Sequence, residues 1–106
     1  MSGKGTTMSS QIDQEIEEAV GEYERLIGRP ATATRTMMSR YESTELLSRL
    51  VRDSKIQQGL RVLAKADRLD LSFEAIVVRH RDNPRLRKDV PAAEWRLERA
   101  RRGDFD

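Results

Sequence analysis

Residues 10–30, SQIDQEIEEAVGEYERLIGRP, decide the fold. Ile12, Ile16, Ala19 or Val20, Tyr23, Leu26 and Ile27 recur there at three- and four-residue steps. That spacing gathers the apolar side chains into one stripe along a helix and puts the glutamates on the other side. Ser10 reads as the N-cap, with Asp13 three residues on. Gly28 ends the helix and Pro30 follows. Gly21, in the interior, marks a place where a second helix can approach closely.

Working outward, the same period continues. Residues 30–41, PATATRTMMSRY, read as a shorter helix, weakened by Thr32, Thr34 and Thr36 and anchored by Met37, Met38 and Tyr41. Ser43 caps a third helix with Leu46, Leu47, Leu50 and Val51 as its stripe. Ser54 and Gln57 form a capping box for a fourth, which carries Ile56, Leu60, Leu63 and Ala64. A short connection, Asp67 to Leu71, turns Leu69 and Leu71 inward. Ser72 caps a fifth helix with Glu74 in its first turn. Residues 73–78, FEAIVV, are rich in β-branched side chains, so a strand is the rival reading. A lone strand has no partner for its backbone hydrogen bonds, which favours helix. Asn83-Pro84 breaks the chain, a single turn forms around Leu86, and Pro91 opens a last helix with Ala92, Trp95, Leu97 and Ala100, ended by Gly103. The expected fold is all-α, a small irregular or orthogonal bundle of five or six short helices. Residues 1–8 read as a disordered leader, 9–103 as one helical domain and 104–106 as a tail.

Composition agrees and narrows the chemistry. The chain has 106 residues, 37% hydrophobic and 36% charged, enough for one thin core under a charged skin. The absence of cysteine excludes disulfides, thiolate metal sites and thiol nucleophiles. No apolar run reaches the roughly 20 residues of a membrane span and no secretory signal precedes the first helix, so a cytoplasmic location is expected. Charge is segregated. Asp13, Glu15, Glu17, Glu18, Glu22 and Glu24 stand against Arg25 alone, whereas Arg29, Arg35, Arg40, Arg49 and Arg52 outnumber Glu42 and Glu45. Such asymmetry marks either a partner-binding face or an acidic helix lying on its own basic neighbours, and the second reading is the stronger.

The middle of the chain, with Gly28-Arg29-Pro30-Ala31, Arg68-Leu69-Asp70-Leu71-Ser72 and Glu74-Ala75-Ile76-Val77, resembles a group of short, uncharacterised all-helical bacterial proteins. Their signature is Arg-Leu-Asp-Leu-Ser/Thr-x-Glu-Ala, and the resemblance spans roughly residues 12–101. It departs at Val90, which precedes Pro91 where a Ser or Thr cap is usual. The resemblance implies a helical fold and brings no activity or site residue with it.

No catalytic, cofactor-binding or metal-ligating constellation emerges, and no cofactor is expected. His80, the sole histidine, stands between Arg79 and Arg81 without an evident carboxylate partner and reads as a surface residue at a helix end. Asp67, Asp70 and Glu74 are acidic residues around a helix start, where capping and the macrodipole favour them. Gly3-Lys4-Gly5 follows no strand and makes no phosphate loop.

Two binding surfaces are candidates. Trp95, Arg96 and Arg99 on the last helix combine the residue types most often found as hot spots for a protein partner, although closing the thin core is an equally strong reading of the sole tryptophan. Arg79, Arg81, Arg85, Arg87 and Lys88 form a basic segment suited to nucleic-acid phosphates. A helix-turn-helix at residues 30–51 is a further nucleic-acid reading, with Thr44, Glu45, Ser48, Arg49 and Arg52 on its recognition helix. By elimination, the expected function is a non-enzymatic interaction module that regulates or escorts a larger protein, in a bacterial or bacteriophage system. A DNA-binding regulator is the alternative. An enzyme is expected only if a homo-oligomer completes a site across subunits.

Overall fold

The structure, a computed structural model, describes residues 8–52 and 58–104, with side chains described from residue 11 onward. Among these residues the regular secondary structure is all helical, with no strand. The helices are α1 (Met8–Ile27), α2 (Thr32–Arg40), α3 (Ser43–Val51), α4 (Gln58–Lys65), α5 (Phe73–Arg79) and α6 (Val90–Arg101), with 3-10 turns at Leu69–Leu71 and Arg87–Asp89. The expected bundle of about six helices is what forms, and FEAIVV is helix α5 rather than a strand.

α1, 20 residues long, is the beam on which the others lie. Its stripe behaves as the spacing requires: Ile12, Ile16, Ala19 and Val20 are buried against Leu46, Leu47, Leu50 and Val51 of α3 and Ile76 and Val77 of α5. Tyr23 packs on this core only partly buried. α3 is the central helix and touches α1, α2, α5 and α6, while α5 makes its widest contact with α6. Leu60 and Leu63 bring α4 in, and Leu86, in the link between α5 and α6, is fully buried in the same core. Met37, Met38 and Tyr41 hold α2 to the core from its rim, none of them fully buried.

Several ends differ from their expected form. α1 already runs from Met8, so Ser10 lies inside the helix rather than capping it. At α3 the cap is Glu42, whose carboxylate accepts from the Glu45 N–H at 3.2 Å and from the Thr44 hydroxyl at 2.6 Å. Ser43, the expected cap, is the first helical residue and donates instead to Asp13 of α1. Ser72 does cap α5, its Oγ accepting from the Ala75 N–H at 3.0 Å. The capping box at Ser54 and Gln57, with Ile56, lies outside the described residues.

Helix α4 stops with Asp67 in the left-handed region at φ 60°. The Asp67 N–H reaches Ala64 O and the Arg68 N–H reaches Leu63 O, two bonds that close its last turn. α6 ends in the same way on Gly103 at φ 74°, with Gly103 N–H on Ala100 O and Asp104 N–H on Arg99 O. Gly21 admits no close neighbour: nothing lies within 4 Å of where its Cβ would be, so the expected helix approach there does not occur.

Candidate functional site

Of the apolar residues expected along the last helix, Leu97 and Ala100 are buried, Ala92 is half-buried and Trp95 is exposed. Val90, Ala93, Arg96, Leu97 and Ala100 are its buried residues, a stripe of three- and four-residue steps. Arg96 falls inside that stripe and Trp95, one residue earlier, on the opposite side. Trp95 is 58% exposed, the exposed large hydrophobic side chain among the described residues. The Arg99 guanidinium lies over its ring at 4.6 Å from the centroid. Arg99 in turn donates to Asp104 at 3.1 Å, just beyond the Gly103 turn. The indole is thus held in place by a cation that is itself anchored.

Arg96 must be removed from this surface. It is 3% exposed, and its Nε stands 3.1 Å from Oε2 of Glu74, which is equally buried. Its Nη1 donates to the carbonyls of Leu50 and Val51 at 3.4 and 3.3 Å, the last turn of α3, where a cation suits the helix terminus. Arg96 therefore ties α6 to the start of α5 and the end of α3. Burial pushes the Glu74 carboxyl above its ordinary value and the Arg96 charge opposes that rise. Glu74, in the first turn of α5, accepts from its own backbone N–H and also forms a buried ion pair that its helix-start position did not announce.

Beside this pair runs a second one. Asp89, buried ahead of α6, is met by Arg52 Nε at 3.2 Å and Lys88 Nζ at 3.5 Å. Arg52 also donates to Ser48 one turn back on α3.

The basic segment is engaged within the chain. Arg79 donates to Glu15 at 2.9 Å and to Asp70 O at 2.9 Å. Arg81 pairs with Glu94 at 2.8 Å, Arg85 with Glu42 at 3.7 Å, and Lys88 with Asp89. Arg87 is exposed. His80, at the C-terminal cap of α5, is mostly buried and has the partner the sequence did not reveal: its Nε2 is 3.1 Å from Glu15 Oε2. Burial raises the Glu15 pKa, but hydrogen bonds from Arg79 and His80 outweigh it, leaving the carboxyl below its ordinary value.

The expected recognition helix is α3, and its geometry differs from that role. Thr44 and Ser48, expected outside, are buried, together with Leu46, Leu47, Leu50 and Val51. Of the outer residues, Arg49 pairs with Glu45 at 2.9 Å and lies 4.2 Å over the Tyr41 ring. A reading helix must project into a groove, and α3 is enclosed by four others.

The acidic face of α1 lies on its own basic neighbours. Arg35 of α2 spans Glu17 and Glu24, each at 2.8 Å. Glu24 also accepts from the Ala31 N–H at 2.8 Å. The Arg35 hydrogen bonds, aided by that backbone bond, bring the Glu24 pKa down to about 2. Glu22 meets Arg25 and, at 3.4 Å, Arg68. Among the described residues no group of His, Asp and Glu side chains suits a metal ion, and no helix is long and apolar enough to cross a membrane. Comparison with protein-family models, curated proteins and solved structures gives no match.

Proposed function

We propose that this chain is a non-catalytic helical interaction module that regulates or escorts a larger protein, within a bacterial or bacteriophage system, and that it docks through the outer side of α6. The observation that carries the reading is Trp95: an indole stacked on an anchored arginine and, among the described residues, the large apolar side chain left exposed. An aromatic body held in one pose loses little entropy on binding, and tryptophan with arginine is the pairing most frequent at binding hot spots. Glu94, Glu98 and Arg102, exposed along the same stretch of chain, supply polar residues for a rim. Trp95 and Arg99 form the docking pair, without Arg96.

The DNA-binding alternative draws less support, because Arg79, Arg81, Arg85 and Lys88 already face carboxylates of the same chain. One experiment separates the two. Tagged chain and its Trp95→Ala variant are used to capture partners from native lysate, with and without nuclease. The expected result is a discrete protein retained after nuclease and lost with Trp95→Ala, whose melting temperature stays close to that of the parent. Capture that disappears with nuclease and survives Trp95→Ala would transfer the function to nucleic acid. A Trp95→Ala loss of about 3 kcal/mol or more in stability, the cost of a core aromatic, would remove the anchor reading.

A further inference from the structure

Among the six α-helices, α2 is the one the core holds least. It has no fully buried residue: Met37 and Met38, with Tyr41 just past its end, reach the core from the rim and stay half-buried. Thr32, Thr34 and Thr36 lower its preference for helix, and a helix of nine residues does not persist in water without packing. That packing is interrupted in two places. A cleft of about 390 Å³ is walled by Met38 and Tyr41 together with Ile16 of α1 and Leu46 of α3. A second, of about 220 Å³, has Thr34 in its wall with Ala19, Val20 and Leu50. Gaps of this kind forfeit the dispersion contacts that would otherwise secure a helix.

What fastens α2 is charge. Arg35 Nη1 donates to Glu17 at 2.8 Å, while its Nη2 and Nε donate to Glu24 at 2.8 and 2.9 Å. One guanidinium thus straddles about two turns of α1. Glu24 and Glu17 hold it from the outside of the bundle, where ion pairs are weak because water competes for them. Both joints of α2 are non-helical, with Gly28 at φ 74° ahead of it and Tyr41 extended at φ −117° and ψ 143° behind. We propose that α2 is a strap that opens as one unit from an otherwise intact bundle, with Arg35 as its clasp. Opening uncovers the stretches of α1 from Ile16 to Val20 and of α3 from Leu46 to Leu50 that the two clefts already reach. The proposal does not rest on docking at Trp95.

Hydrogen exchange of the full chain, read by NMR, tests it. The α2 amides from Arg35, bonded to Ala31 O, to Tyr41, bonded to Met37 O, should share one opening equilibrium. They should exchange at least about a hundredfold more readily than the amides of α3 and α5, with a shallower dependence on urea. Arg35→Gln removes the charge and keeps much of the stem; it should speed α2 exchange a further three- to tenfold or so and leave α3 and α5 unchanged. Three outcomes would each overturn the proposal: α2 amides that exchange only with global unfolding, protection that grades away from the helix ends as in fraying, or an Arg35→Gln effect that is absent from α2 or equal across the bundle. The capture experiment at Trp95 is unaffected by any of them.

Discussion

Gly21 sits mid-helix in α1 with open space around it. A glycine there spends backbone entropy on folding and makes no contact in return, so Gly21→Ala should stabilise the chain by up to about 1 kcal/mol. A thermal melt reads this directly, and an unchanged or lowered melting temperature would mean that α1 makes a close approach there after all. Single residues are also where the sequence was hardest to read. His80 and Glu15 are 65 positions apart, and nothing local to either announces the other. Arg96 was legible in principle: the steps 93, 97 and 100 place it within the buried stripe, but arginine's usual exposure argued against reading it there.

At the scale of elements, period and punctuation carried the reading. α1, α3, α5 and α6 form where the apolar spacing and the Gly and Pro breaks put them, because those signals are local. Caps were less secure: Ser43 and Glu42 are adjacent, both can accept a helix N–H, and the tertiary bond to Asp13 decides between them. The joint among α3, α5 and α6 escaped the sequence because it is made of charges rather than apolar residues. Removing one side of it exposes its weight. Arg96→Met should cost about 3 to 5 kcal/mol, since it strands a buried carboxylate at Glu74 and uncovers the α3 carbonyls. Adding Glu74→Gln should recover part of that loss. Urea unfolding of the single and double variants measures both, and a single variant near the parent's stability would refute the joint.

For the whole molecule, the segregated charge of the sequence resolves into internal pairing, chiefly α1 against α2, α5 and the turn that holds Arg68. This makes folding depend on acid. Glu15, Glu22, Glu24 and Glu42 all titrate below their ordinary value of 4.5 in the folded chain. Groups with depressed folded values stabilise above 4.5 and lose that contribution as pH falls through the folded values, which for Glu24 is about 2. Glu74 runs the other way, since its folded value is raised and its protonated form favours the fold, but it is one group against four. Melting temperature should therefore decline steadily as pH is lowered from 4.5 toward 2. A level profile across that range would show that these pairs contribute nothing.

The position of Trp95 also sets what light can report. The chain has one tryptophan, and it is already in water in the native state. Its emission should be red-shifted in the folded protein and should move little on unfolding, so a melt followed by tryptophan fluorescence will understate the transition that circular dichroism sees. The same indole becomes a clean reporter for the opposite event, because only something covering the outer side of α6 can shift its emission to the blue.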